Sequence, residues 1–557
     1  MGSRTRRHRR GRAPGDVVLT ATRPRAMTGR GPTLPDLFFQ AERQSPNSLA
    51  LVDENTRQTY HDLMSAATSF AGALRKSGFE PGEVVLVQLP NWWESIVASW
   101  GTWLAGGILL PVVPIYRAHE LSFIIEQTSP SVIVAPQEYR GYRHADHLEK
   151  LMRTSGREIL LVEVRGAGGV RRTTFPDLIE FGHGSDIVEH QVDSDDIALV
   201  LYTSGTTSAP KGVLHSHRTL IAESASMIAH CGVDSQDRIF MPSPLAHITG
   251  ISYAVVLPVT AACSTVLMQR WEPEAAVALI EREQCTFTVS ATPFLRGLAD
   301  AYEGSAFRRS QLTRFVCGGA GIPPELVRRA HRVMGTSIVR TYGSTELPTL
   351  VMGDPFGDIE LQAEDEGTVI GGNELEIGED SELLVRGPEL FVGYVDGALN
   401  DDSFTEKGFF RTGDVATVDN QGHVRITSRI KDIINRGGEK FSAAEIEWAL
   451  EAHPAVAEVA VVGYPDEVLG ERACAFVVPE GAPPSVRDLR IFLLSEGFAV
   501  QKAPERVEIV CSLPRTESGK VQKFLLRGAL GLGSVQTVPE TDGSEFGHDG
   551  NWRKATS

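Results

Sequence analysis

From about residue 33 onward, amphipathic helical stretches alternate with short apolar runs, and this alternation constrains the fold more than any other feature of the chain. Residues 60–77 read as a helix and lead into "EVVLVQLPN". Residues 92–105 read as a second helix leading into "GILLPVVPIY", and residues 118–128 as a third preceding "SVIVAPQ". The pattern resumes in "IALVLYTSG", "CSTVLMQ", "CTFTVSATP" and "RFVCGGAG". Apolar runs separated by helices of this length predict an α/β fold built on largely parallel sheets.

After about residue 365 shorter β-like runs with turn residues take over, such as "ELLVRGPELFVGY" and "GHVRITSR", which predicts a β-rich, mostly antiparallel subdomain. Beyond Arg429 a compact α+β stretch follows: "AAEIEWALEAHP" and "VRDLRIFLLSEG" as helices, "VAEVAVVGYP" and "ACAFVVPEG" as strands. At 557 residues the chain exceeds one compact core. The expected organisation is a large domain over 33–428, a hinge over 429–431 and a small mobile domain over 432–530. Residues 1–32 carry Arg4, Arg6, Arg7, Arg9, Arg10 and Arg12 without an apolar face, and read as a disordered basic extension or an early start codon upstream of Met27. The polar, Gly-rich residues 531–557 read as a disordered tail.

A net charge of −17 excludes a generally nucleic-acid-binding or anionic-lipid-binding surface. A polyanionic ligand would therefore depend on a few local cations in loop-like segments. The six cysteines are widely spaced with no C-x-x-C pair, so neither a disulfide framework nor a zinc site is expected, and reduced thiols fit a cytoplasmic protein. The most apolar stretch, residues 96–116, contains Gly106, Gly107, Pro111 and Pro114, which would break a spanning helix. It reads as a buried helix followed by a strand.

The densest chemical signal is "YTSGTTSAPKG", residues 202–212, directly after an apolar strand. Small and hydroxylic residues there let backbone N–H groups approach phosphate oxygens. Thr203, Ser204, Gly205, Thr206 and Thr207 form the loop, and Lys211 adds a point charge. A Walker loop is excluded, because Pro210 and Gly212 stand where that motif needs Gly and Ser or Thr.

The segment resembles the phosphate loop of the adenylate-forming superfamily, which includes acyl-CoA synthetases, luciferase and peptide-synthetase adenylation domains. Ser208 stands where the family usually has Gly. Five more segments similar to the family's follow in order. "GGAGIPPEL" would supply the adenine-side loop, with Gly319 and Ala320. In "TYGSTE", Tyr342 and Gly343 would lie by adenine, Thr345 would meet the α-phosphate and Glu346 would face Mg²⁺, a hard cation that prefers carboxylate oxygen. "FFRTGDVA" would offer Asp414 to the ribose hydroxyls, joined by Arg429 from "SRIKDIINRGGEKFSAAEIE". "LPRTESGKVQK" would bring Lys520 to the carboxylate and α-phosphate.

The resemblance implies an ATP-dependent enzyme that converts a small-molecule carboxylic acid to its acyl-adenylate and passes the acyl group to coenzyme A. Lys431 matches the family's hinge position, and Gly437 and Gly438 would face the pantetheine tunnel after the small domain rotates. His247, Ile251, Cys317 and Gly318 would line the acyl pocket, with Ile248, Ser252, Phe294 and Ser344 as further wall candidates. Their uncharged character suits a medium-chain, alicyclic or aromatic acid. Loading of a separate carrier protein is the alternative acceptor, and a catalytically silent binding protein the remote one.

Overall fold

The computed structural model describes residues 31–54, 56–155, 158–185, 192–203, 210–319, 321–516 and 520–531. The chain opens with the helix Leu34–Gln44, where the Thr33 hydroxyl accepts from the Asp36 amide and the Asp36 carboxylate accepts from the Thr33 amide. Thr59 and Asp62 open the helix Tyr60–Lys76 in the same way. Each such reciprocal cap is worth about 1 kcal/mol and fixes where the helix starts.

The apolar stretch at 96–116 is a core helix and strand, as its glycines and prolines predict. In the helix Trp93–Leu104 every residue from 94 to 104 is buried. Ser99 and Thr102 donate to the carbonyls of Ser95 and Ala98, and Trp103 Nε1 donates to the Ala198 carbonyl at 2.8 Å, while Trp100 Nε1 is buried without a partner among the described residues. Phe38 packs on Trp100 with ring centroids 4.4 Å apart. Among the described residues no helix is long and apolar enough to cross a membrane.

Two sheets organise the large part of the molecule. A nine-stranded sheet runs from Thr368–Val369 at one edge, through Ser337–Tyr342, Arg314–Gly318 and Phe287–Ala291, to Leu49–Asp53 and Thr56–Thr59 at the other. Its central pairs are parallel. An eight-stranded sheet contains Val84–Val87, Ile108–Pro111, Val132–Pro136 and Leu160–Val164 in parallel pairings, and ends on an antiparallel hairpin, Ile197–Thr203 with Lys211–Ser216. The fold is therefore α/β, as the alternation predicts. An antiparallel four-stranded sheet follows the change of texture near residue 365: Glu374–Ile377, Glu382–Arg386, Phe410–Val418 and Val424–Arg429. The last sheet has five strands, built on the long hairpin Val456–Asp466 with Gly470–Pro479 and flanked by the helices Ala443–Leu450 and Val486–Ser495. The six cysteines form no disulfide; five are buried and Cys511 is exposed.

Candidate active site

Asp414 and Arg429 face each other because their strands pair antiparallel with Asp414 opposite Arg429. Arg429 Nε lies 2.9 Å from Asp414 Oδ1, and the Tyr342 hydroxyl donates to Asp414 Oδ2 at 2.6 Å. Asp414 is only 3 % exposed, so this carboxylate is held in place by two donors rather than by water. Burial and the adjacent Asp414 carboxylate push the Tyr342 hydroxyl well above the ordinary phenol range, which keeps it a donor. Burial works against the Arg429 charge, but Asp414, Tyr342, Asp432 and Glu346 together hold the guanidinium above its usual range. A carboxylate has roughly four acceptor positions, so two remain on Asp414 for hydroxyls of a ligand.

Tyr342 ends the strand Ser337–Tyr342, and the turn that follows carries Thr345 and Glu346. Its tightness is set at Gly343, where a Cβ would come within 1.8 Å of the Pro348 carbonyl oxygen. Both chemical residues are pinned through their carbonyls. His215 Nε2 donates to Thr345 O at 2.7 Å and the Phe391 amide donates to Glu346 O at 2.7 Å. Burial pushes the His215 imidazole down to about 4, so it is neutral near pH 7 and its proton must sit on Nε2 to serve a carbonyl. The Tyr394 hydroxyl donates to Glu346 Oε1 at 2.8 Å, and Lys211 Nζ stands 5.2 Å from the Tyr394 ring centroid. Tyr394 reaches both because Gly393–Tyr394 pairs with the strand that begins at Lys211.

Thr203 and Lys211 are cross-strand partners, so the phosphate-type loop is the tip of a hairpin whose two feet are fixed by the ladder. Ser204, Gly205, Thr206 and Thr207 lie outside the described residues, as does Ala320. Gly319 follows the strand Arg314–Gly318 in a left-handed conformation, φ +85°.

Lys520 is anchored by Thr516, whose N–H donates to the Lys520 carbonyl at 2.9 Å and whose hydroxyl accepts from the Lys520 N–H at 3.1 Å. The residue keeps contact with solvent, yet crowding around its ammonium and the charge of Arg429 push it down to about 8. Lys431 sits in the single turn Ile430–Asp432 directly after Arg429, and burial and Arg429 lower its hold on its proton too. Arg527, from the terminal helix Lys523–Gly531, donates to the Lys431 carbonyl at 3.2 Å and to the Asp432 carboxylate at 2.5 Å. Gly437 and Gly438 have φ +62° and +91° and join Ile433–Arg436 to Glu439–Ser442. A two-residue hairpin with positive φ at both centres favours glycine for its own sake, independently of any tunnel.

His247 begins a short helix that passes into π-helical bonding over Ile251–Val256. The segment before it is tied to the strand beside Cys317: Ser243 and Ser290 hydroxyls are 2.8 Å apart, and Ser290 pairs with Cys317. Burial pushes His247 down to about 4, and its Nε2 is buried without a hydrogen-bond partner among the described residues. Ile251 is buried, and Cys317 is a buried thiol that burial pushes up to about 12, which does not suit a thiolate nucleophile. Gly318 leaves the close approach of Thr341, whose Cγ2 would be 2.7 Å from a Cβ there.

The structure brings Tyr342, Asp414 and Arg429 together and joins Glu346 to Lys211 through Tyr394, and it adds His215, Phe391 and Tyr394, which no motif singled out. Tyr394 lies in the "FVGY" run that reads only as a strand.

The AMP-binding enzyme family profile matches residues 38–395, and that of the AMP-binding enzyme C-terminal domain matches residues 445–520. The chain belongs to the AMP-binding enzyme family. Its relatives among these enzymes include the medium-chain fatty-acid–CoA ligase of Escherichia coli K12, 32 % identical, with 91 % of this chain and 92 % of that protein aligned. The 2,3-dihydroxybenzoate-AMP ligase of Bacillus subtilis is 31 % identical, with 90 % and 94 % aligned. Among solved structures, ATP-bound MatB from Rhodopseudomonas palustris superposes with a TM-score of 0.79 at 26 % identity, covering 89 % of this chain and 98 % of that one. The anthranilate CoA ligase AuaEII, in complex with anthranoyl-AMP, has a TM-score of 0.81 over 90 % of this chain and 98 % of that one. Its 23 % identity speaks for the fold alone.

Proposed function

We propose that this AMP-binding enzyme adenylates a carboxylic acid with ATP, releasing pyrophosphate, and then transfers the acyl group to coenzyme A, releasing AMP. The observation that carries the reading is the buried Asp414 carboxylate, held by Tyr342 and Arg429 with two acceptor positions to spare, within electrostatic reach of the Lys520 ammonium. Two neighbouring hydroxyls are what a ribose offers such a carboxylate. Tyr342 would lie by the base, and the 203–211 hairpin tip would hold the outer phosphates with Lys211. In the first half-reaction a carboxylate oxygen attacks the α-phosphorus in line and the bond to pyrophosphate breaks. Two anions meet there, so positive charge and fixed donors lower the barrier. Lys520 supplies the charge and Thr345 a donor. Glu346 suits Mg²⁺, since Tyr394 occupies Oε1 and leaves Oε2 for a hard cation. Such an ion would offset charge on the phosphate oxygens.

In the second half-reaction the thiol of coenzyme A attacks the acyl carbon and AMP leaves. Lys431 would be the pivot for a rotation of the small domain, 432–530, and Gly437 and Gly438 would then border the pantetheine arm. The acid is medium-chain, alicyclic or aromatic and uncharged beyond its carboxylate, in keeping with neutral His247 and the apolar Ile251. The names of the relatives, a medium-chain fatty-acid–CoA ligase and an aryl-AMP ligase, support this range. Acid-dependent ATP–pyrophosphate exchange over a panel of acids tests the first step. AMP formation on adding coenzyme A tests the second, and AMP appearing only with a carrier protein would reassign the acceptor.

A further inference from the structure

Glu223 and Glu389 are both fully buried and belong to none of the motifs above. Glu223 lies on the helix His217–Cys231, and its Oε1 accepts from the hydroxyls of Tyr253 at 2.7 Å and Thr349 at 2.8 Å. Glu389 Oε1 accepts from the Ser226 hydroxyl, one turn along the same helix. The second oxygen of each carboxyl is buried and receives no donor among the described residues. Ser226, which holds Glu389, stands one turn from Glu223 on the same helix, and each carboxyl group bears on the protonation of the other. Space is left for them at Gly371, where a Cβ would lie 1.9 Å from Glu389 Oε1 and 2.2 Å from Ser226 Oγ.

Two ionised carboxylates have no hydrogen to place between them, and a doubly charged pair in a site of this burial is unfavourable without a cation. Among the described residues neither forms a salt bridge with a lysine, arginine or histidine. The titratable groups facing them are Tyr253 from the π-helical segment and Cys231 from Glu223's own helix, both held neutral by burial. Thr349 and Asn373, from the remaining segments packed there, do not titrate, and Arg314 and Asp237 lie beyond Cys231. One proton shared between the pair resolves the conflict; burial and the neighbouring Glu389 raise Glu223, and burial raises Glu389 against the hydrogen bonds it accepts.

The pair also grips both sides of the catalytic turn. Thr349, bound to Glu223, is three residues after Glu346, and Asn373 Nδ2 donates to the Thr349 carbonyl at 3.2 Å. Glu389 is two residues before Phe391, whose amide holds the Glu346 carbonyl. We propose that Glu223 and Glu389 share one proton and act together as positioning residues, fixing the turn that carries Thr345 and Glu346 against the π-helical segment beside the acyl pocket. Its functional half rests on the adenylation reading; the proton-sharing half does not.

Infrared spectra of the full-length protein at neutral pH should show the carbonyl band of a buried protonated carboxyl group, and Glu223→Gln and Glu389→Gln should each remove it. An amide in either position still donates one hydrogen to the remaining carboxylate. Both glutamine variants should therefore keep kcat for pyrophosphate exchange close to the parent. Glu223→Ala and Glu389→Ala should lower kcat by roughly ten- to a hundredfold, with KM for ATP changing less, because a displaced turn costs chemistry more than binding. Absence of the protonated-carboxyl band in the parent would overturn the shared proton. Glutamine variants as slow as the alanine variants, or folded alanine variants with full kcat, would overturn the positioning role. Should the alanine variants fail to fold, the glutamine pair still decides. A parent protein with no exchange on any acid would instead strike the adenylation reading and leave the infrared result standing.

Discussion

At Lys520 the crowding that brings the ammonium beside Arg429 also loosens its proton, to about 8. The charged form is the one that can meet two anions, so adenylation should be full below that value and fall as pH rises through it. The pH profile of kcat for pyrophosphate exchange reads this directly, and Lys520→Arg, which stays charged, should be slower but lose the alkaline limb. Asp414 carries a different burden, since both its oxygens are already engaged and each must accept once more. Asp414→Asn would offer one accepting oxygen in place of two and leave Arg429 without its counter-charge. Hydrogen bonds to charged groups are worth about 1.5–3 kcal/mol, so KM for ATP in the exchange assay should rise by roughly one to two orders of magnitude. His247, pushed down to about 4, is already neutral near pH 8, so the alkaline limb should not belong to it.

The turn from Gly343 to Pro348 is the element on which the chemistry depends, and it leaves no room for a side chain at its first residue. Gly343→Ala should displace Thr345 and Glu346 and lower stability by about 1–3 kcal/mol through overpacking. Thermal denaturation measures the stability loss, and exchange kcat should fall further than the unfolded fraction explains. Much of the architecture around this turn is legible from local sequence. Thr33 and Thr59 announce their helices through an Asp three residues on, and the alternation of apolar runs announces the sheets. The Gly-rich and acidic motifs announce Asp414, Arg429 and Glu346. The supports of those residues are not legible, for a physical reason: His215 meets Thr345 across 130 positions and Tyr394 meets Glu346 across 48, through strand register that no local pattern encodes. The Glu223–Glu389 pair is hidden likewise, since a glutamate on an amphipathic helix normally reads as solvated surface. The π-helical segment escapes notice because its apolar spacing is nearly that of an ordinary helix.

For the whole molecule the proposal turns on one site serving two half-reactions with different partners. Lys520 comes from the last segment before the terminal helix, and its nearness to Arg429 and Asp414 suits the first of them. Lys520→Ala should cut acid-dependent pyrophosphate exchange by roughly two to three orders of magnitude. Thioester formation from pre-made acyl-adenylate and coenzyme A should be largely spared. Equal loss of both rates would defeat the rotation of the small domain.

The pairing of Asp414 with Arg429 also has a bearing on how this enzyme could be recombined with its relatives. Arg429 is the final residue of its strand, and the chain leaves the ladder immediately afterwards. A splice after Arg429 would keep Asp414, Arg429 and Tyr342 together in the parental large half and let the incoming half supply Lys520. A splice one residue earlier would ask a foreign arginine to complete a hydrogen-bonded pair it did not evolve with. The peptide bond after Arg429 is therefore the junction at which a chimera would keep this pair intact.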